Sequence, residues 1–315
     1  MSNCPETPPD RSKSWYRWCL QSGRRFLIYY LLIVLFMSIM QRQLLYVPSH
    51  ATELPVRASG CLPGGGEDIS LQTADGLQLH GWHLLPSKLS AGSAADFDRF
   101  LAEGRQVVIF FHGNGGNRLH RDLDYQVLSR LNLHIMAFDY RGYGENSGSP
   151  TEENFAADAQ AMWKYVTETR HVSPDRIILY GESLGGGVAT RLAAEVCAAG
   201  TPPAGLILRS TFSSMVAAAG YHHPWLPVSW ILKDQYRSDQ RIPQLTAPLL
   251  MLHGTNDAVV PLSLGQQLFH LAPDRAKNGI PKTFVELKNS GHNDVLYADP
   301  DHFEEAIKKF LATLP

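Results

Sequence analysis

Residues 181–185 read Gly181-Glu182-Ser183-Leu184-Gly185, a G-x-S-x-G between the apolar run RIILY (176–180) and the small-residue run GGGVATRLAAE (185–195). The first run predicts a strand and the second a helix over 184–199, so the motif falls on a strand-to-helix turn. Such a turn is too tight for side chains at 181 and 185, which explains the glycines. It lifts the Ser183 hydroxyl above the sheet edge at a helix N-terminus. There the free backbone N–H groups and the helix dipole favour a developing negative charge. The alternative is a glycine-rich turn that carries an incidental serine.

The rest of the chain fits around that turn. Short continuous apolar runs at 106–111, 134–138, 205–208, 248–252 and 283–287 predict strands of the kind buried on both faces of a parallel sheet. Helices are predicted over 152–169, with Thr151 as N-cap, and over 301–311. Strands separated by helices imply a doubly wound, mostly parallel sheet. Upstream, two β-patterned runs flank Asp75-Gly76, a hairpin that gives the sheet an antiparallel edge. Residues 87–105 are small and polar and read as a surface connection. Residues 211–245, which contain HHPWLPVSWILKDQY, break the rhythm: they suit a lid or substrate-facing insertion, or equally a helical connector whose aromatics pack on the core.

The N-terminus differs in kind. Residues 26–40 (FLIYYLLIVLFMSIM) form an uncharged apolar run. As a helix it covers roughly 22 Å, short of the ~30 Å hydrocarbon core, a gap that tilt and snorkelling of Arg24, Arg25 and Arg42 can close. No small-residue cleavage site follows, so an uncleaved single-pass signal anchor is favoured over a cleaved signal peptide or a peripheral hydrophobic helix. Arg11, Lys13, Arg17, Arg24 and Arg25 precede the run, while only Arg42 and Arg57 follow closely. Positive flanks stay cytoplasmic, which puts the following domain on the extracytoplasmic side, periplasmic if bacterial. The expected organisation is a cytoplasmic stub and anchor over 1–47, a Pro- and Gly-rich linker over 48–66, and a catalytic domain over 67–315. A net charge of −2 gives no electrostatic reason to bind nucleic acid. The four cysteines, at 4, 19, 61 and 197, show no metal-ligand spacing and leave a Cys61–Cys197 bridge open.

A serine hydroxyl is a weak nucleophile and needs a base within hydrogen-bond reach. On a strand-turn-helix of this type the order is Ser, then Asp or Glu, then His. His292, in Ser290-Gly291-His292-Asn293 just after the last predicted strand, is the candidate base. His222 and His223 sit in the irregular segment, and His270 and His302 in helical patterns. Asp257 follows the 248–252 strand on a loop and is the candidate acid, holding the imidazole in its tautomer. Asp294 is too close to His292 in sequence to approach the ring. Backbone N–H groups of Leu184 and of Asn114, in His112-Gly113-Asn114-Gly115-Gly116-Asn117, are the candidate oxyanion donors. His112, at a strand end before the serine, reads as structural. No G-x-x-x-x-G-K-[ST] and no H-E-x-x-H occurs, and the chemistry calls for neither cofactor nor metal.

Together FFHGNGGN, FDYRGYGENSG, GESLGG, HGTNDAVVP and SGHND resemble the α/β-hydrolase superfamily. Within it they resemble membrane-anchored abhydrolase-domain proteins, a group that includes serine-aminopeptidase-like hydrolases and acyl-protein thioesterases. The resemblance covers roughly residues 40–315. It implies the α/β-hydrolase fold and carries the family's triad onto Ser183, Asp257 and His292, and its oxyanion donors onto Asn114 and Leu184. The cysteine-rich N-terminus of the depalmitoylating members is replaced by an apolar run. The expected activity is cleavage of a carboxylic ester or thioester through an acyl-serine, on a small-molecule or lipid-like acyl substrate. The alternatives are a peptidase of serine aminopeptidase type and a catalytically silent binding protein of the same fold. An aspartate at 183 would instead mark the haloalkane and epoxide branches.

Overall fold

The apolar runs become one eight-stranded sheet in the computed structural model, which describes residues 11–59 and 64–315. In chain order its strands are β1 Gly66–Gln72, β2 Gln78–Leu84, β3 Val107–Phe111, β4 His134–Phe138, β5 Ile177–Glu182, β6 Gly205–Arg209, β7 Leu249–Gly254 and β8 Thr283–Leu287. Their spatial order is β1-β2-β4-β3-β5-β6-β7-β8. β1 and β2 form the hairpin predicted around Asp75-Gly76, and β2 also pairs antiparallel with β4. The ladders from β4 to β8 are parallel.

Alternation along the central strands builds a core on each face. Val107, Ile109, Phe111, Leu179, Leu206 and Leu208 join one cluster, with Phe155, Met162, Val188, Leu192 and Leu268 above them. Val108, Phe110, Ile178, Tyr180, Ile207 and Leu250 join the other, with Tyr125, Leu128, Phe303, Ile307 and Phe310. A strand covered on both faces needs apolar residues at every position, and for that reason β3 to β7 read as continuous runs.

The helices are α1 Arg11–Leu45, α2 Ala94–Ala102, α3 Asp122–Arg130, α4 Glu152–Lys164, α5 Leu184–Ala198, α6 Met215–His222, the one-turn α7 Val228–Ile231 and α8 Ser238–Arg241, α9 Leu262–Leu271, the short α10 Val295–Ala298 and α11 Pro300–Leu311. Residues 87–105 are more than a connection. They contain α2, which begins where Asp96 accepts the Ser93 N–H at 2.9 Å and buries Phe97, Phe100 and Leu101. The i, i+3, i+4 spacing of those three apolar residues is the helical signal hidden by the polar composition around them. The segment after Thr211 is three short helices, and its aromatics divide: Phe212 and Tyr236 pack into the core, whereas Trp225 is 52% and Trp230 90% exposed.

α1 extends well beyond the 26–40 run. Its stretch Trp18–Leu45 is long and apolar enough to cross a membrane, with a mean hydropathy of 1.6 over its most apolar window. These 28 residues cover about 42 Å, longer than the hydrocarbon core, but they include Arg24, Arg25 and Arg42, so the uncharged part is still the short run between Arg25 and Arg42. From its end the chain straps over the sheet's carboxyl edge. Val47–Pro48 pairs in parallel with Gly115–Gly116, and the Ala51 N–H donates to Gly144 at 2.8 Å. Cys197 is buried and free, whereas Cys4 and Cys61 lie outside the described residues.

Candidate active site

Ligand sites in doubly wound sheets form beyond the carboxyl ends of the strands, where the strand order reverses. Here the chain leaves β3, immediately before the reversal, into the loop holding Asn114. From the neighbouring β5 it passes into Ser183. Ser183 has φ 51° and ψ −113°, a conformation costly for a residue with a Cβ and held by its surroundings. Its N–H donates to the Arg209 carbonyl at 2.8 Å, and its own carbonyl accepts from the Thr211 hydroxyl at 2.8 Å. The glycines are needed for packing: a Cβ on Gly185 would lie 2.1 Å from the Phe111 carbonyl oxygen, and one on Gly181 2.6 Å from that of Gly185.

His292 and Asp257 reach this serine from the ends of β8 and β7. His292 Nε2 lies 3.0 Å from Ser183 Oγ, and its Nδ1 2.7 Å from Asp257 Oδ2. The other carboxylate oxygen of Asp257 accepts from the N–H groups of Val259 and Val260, at 2.9 and 2.7 Å, which fixes the acid's orientation. Parallel pairing of β7 with β8 puts the two loops side by side. They are tied by Thr255 N–H to Leu287, Asn256 N–H to Ser290 and Asn289 N–H to the Thr255 hydroxyl. Asp294 accepts the Gly291 N–H at 2.5 Å and starts α10 instead of approaching the ring.

Leu184 is the first residue of α5, so its N–H has no intrahelical acceptor. On the β3 loop the Gly113 N–H is taken up by Glu182 at 3.2 Å, and the next residue, Asn114, lines the same cavity as Ser183 and Leu184. The Asn114 side chain is held on two sides. Its Oδ1 accepts from the Tyr143 hydroxyl at 2.9 Å, and its amide donates to the Leu45 carbonyl at the end of α1.

Among the other histidines, His112 is buried, donates from Nδ1 to the Gly113 carbonyl at 2.8 Å and has Nε2 3.2 Å from Asp139. His222 meets the Val259 carbonyl at 2.8 Å. His270 contacts the Gln266 carbonyl and His302 contacts Asp299 on exposed surface. Among the described residues, no group of three or more His, Cys, Asp or Glu side chains is arranged to hold a metal ion.

Beneath the serine lies a charged cluster that sequence reasoning missed. Glu182 pairs with Arg121 and, at 3.2 Å, with Arg209, while Arg209 also meets Asp124 at 3.2 Å. Tyr180 donates to Asp124 at 2.9 Å. Burial alone would raise the Glu182 carboxyl, but the Arg209 and Arg121 guanidiniums overcome it and hold the group well below the usual carboxylate range. The signal was the x of G-x-S-x-G itself: a glutamate at the end of a strand otherwise wholly apolar requires a cationic partner.

These groups open into a cavity of about 940 Å³. One wall comes from the 211–245 segment, through Phe212, Met215, Ala218 and Ala219, and Leu45 of α1 reaches the rim. A cavity with an apolar wall and convergent polar groups over a serine is the form taken by small-molecule sites.

Sheet order, strand-turn-helix and site placement define an α/β-hydrolase fold. A model of the alpha/beta hydrolase fold family matches residues 106–228. The chain is 37% identical over 279 residues to an uncharacterized protein of Mycobacterium tuberculosis, covering 89% of this chain and 90% of that one. It is 33% identical over 240 residues to the lysophosphatidylserine lipase ABHD12 of Danio rerio, covering 70% of this chain and 62% of the lipase. Among solved structures, the Pyrococcus furiosus esterase Pf2001 superimposes with a TM-score of 0.60 at 19% identity, over 86% of this chain and 98% of that one. An alpha-beta hydrolase from Vibrio vulnificus gives 0.61 at 22% identity, over 80% and 82%. The chain belongs to the α/β-hydrolase superfamily and carries its abhydrolase domain.

Proposed function

We propose that this chain is a serine hydrolase that cleaves a carboxylic ester or thioester through an acyl-Ser183 intermediate. The observation that carries the reading is the continuous hydrogen-bonded line from Ser183 Oγ through both nitrogens of His292 to Asp257. His292 Nε2 takes the hydroxyl proton as Ser183 Oγ attacks the carbonyl carbon. Asp257 keeps the Nδ1 proton in place and stabilises the imidazolium. The developing oxyanion accepts from the Asn114 and Leu184 N–H groups. The tetrahedral adduct then collapses, with His292 returning the proton to the leaving oxygen or sulfur, and the same base activates water to release the acid.

The lysophosphatidylserine lipases among the relatives, with the size and apolar wall of the cavity, favour a single-chain acyl lipid as substrate. The chain spans 62% of the Danio rerio lipase's length, so headgroup preference is part of the proposal. The apolar helix serves as a single-pass anchor, with the domain that follows on the extracytoplasmic side, as the flanking arginines argue.

Ser183→Ala abolishes labelling by a fluorophosphonate probe and turnover of p-nitrophenyl esters while the far-UV spectrum is unchanged. Labelling that persists in this variant would show that the nucleophile is another residue. A panel of monoacyl phospholipids, thioesters and aminoacyl amides ranks the substrate classes, and preferred cleavage of the amides would make the chain a peptidase.

A further inference from the structure

Two long stretches of this chain that lack formal charge lie side by side. No Asp, Glu, Lys or Arg occurs between Arg25 and Arg42, nor between Arg209 and Lys233. Along α1, the Tyr30 hydroxyl donates to the Trp225 carbonyl at 3.0 Å. The Gln41 side chain donates to the Ile231 carbonyl at 3.0 Å and accepts the Lys233 N–H at 2.7 Å. Where both stretches regain charge, the charges pair: Arg42 Nε meets Asp234 at 2.8 Å. The step from Tyr30 to Arg42 is about 18 Å along a helix, so Trp225 runs deep beside the apolar part of α1.

Tyr30, Val34, Met37, Ser38, Gln41 and Leu45 are partly covered, a stripe at helical spacing turned toward the segment. The remaining faces are bare: Leu31, Leu32, Leu35, Phe36 and Ile39 are each more than half exposed. That bare surface continues onto the insertion through Trp225, Trp230 and Tyr221. An exposed apolar surface this extensive is covered by something in the working protein. A second soluble domain would be expected to meet charged rim residues, and this surface has none short of the Arg42–Asp234 pair. The Tyr30–Trp225 bond also satisfies a backbone carbonyl outside any ladder, which irregular backbone at membrane depth requires.

We propose that residues 221–231 enter the same lipid layer as α1, so that the cavity over Ser183 receives its acyl chain directly from the bilayer. Phe212, Met215, Ala218 and Ala219 carry the apolar lining from that immersed segment to the serine, and Leu45 closes the rim on the helix side. The proposal rests on the hydrolase reading for its substrate but not for the immersion itself.

The test uses the full chain in phosphatidylcholine vesicles, with and without bromine on the acyl chains, in a Trp15→Phe/Trp18→Phe background. Brominated lipid quenches indole emission there, and the quenching disappears when Trp225 and Trp230 are also changed to Phe. Equal quenching before and after that change overturns the immersion. In a second arm, Trp225→Ser/Trp230→Ser raises KM for a vesicle-borne monoacyl phospholipid about tenfold or more and leaves kcat for soluble p-nitrophenyl acetate unchanged. An unchanged KM overturns the lipid route to the serine. Loss of soluble-ester turnover in the parent protein would instead strike the hydrolase reading, and the quenching result would still stand.

Discussion

Glu182 offers the sharpest perturbation, because it lies outside the proton-transfer line yet touches both halves of the proposed oxyanion site. Its carboxylate accepts the Gly113 N–H and pairs with Arg121 and Arg209, so it binds the Asn114 loop to the strand that leads into Ser183. With Asp124, the cluster holds two cations against two carboxylates and is neutral. Glu182→Ala leaves one buried positive charge uncompensated, and Arg209 keeps only Asp124. Removing one partner from a buried pair costs about 3–5 kcal/mol. At about 2–4 °C per kcal/mol for a domain of this size, Tm falls by roughly 6–20 °C. The Gly113 N–H also loses its acceptor, so the neighbouring Asn114 donor drifts, and kcat falls by about 10², the lower end of what loss of one oxyanion donor costs. Glu182→Gln keeps an acceptor for Gly113 but not the charge, so it loses stability with less loss of kcat. Scanning fluorimetry in detergent and p-nitrophenyl ester kinetics read the two effects separately. A Glu182→Ala protein within about 1 °C and about twofold of the parent would refute the clamp and the electrostatic reasoning with it.

Asp257→Asn keeps the shape of the acid but removes the charge that fixes the Nδ1 proton; kcat should fall by about 10⁴ with Tm little changed, as steady-state kinetics on the purified variant will show. Gly185→Ala places a methyl 2.1 Å from the Phe111 carbonyl, and the variant should fail to accumulate as folded protein, read by size-exclusion yield and probe labelling. Burial, with nearby His83 adding to it, holds the His134 imidazole down to about 3, whereas an unfolded histidine protonates near pH 6.5. Between those values the unfolded chain binds more protons, so stability falls as pH drops, by about 1.4 kcal/mol per pH unit at the steepest. His134→Asn should flatten that slope in urea titrations from pH 6.5 to 4, and an unchanged slope would show that the histidine is already charged when folded.

Local sequence settled those features whose physics is local. A two-sided parallel strand must be apolar throughout, so β3 to β7 were legible as runs, and the glycines at 181 and 185 announced a turn with room for no side chain. Asp75-Gly76 announced the hairpin in the same way. The polar setting of 87–105 concealed α2, because only three positions in it, Phe97, Phe100 and Leu101, face inward. Distances across the fold belong to the tertiary structure alone. Only the parallel pairing of β7 with β8 lays the Asp257 and His292 loops against each other, and only the β3–β5 ladder carries Glu182 to Gly113. The stretch 26–40 displayed its hydrophobicity openly, but not that an equally uncharged stretch lies along it. That adjacency joins residues some 190 positions apart, as in the Arg42–Asp234 pair, and no pattern along a chain encodes a neighbour that far away.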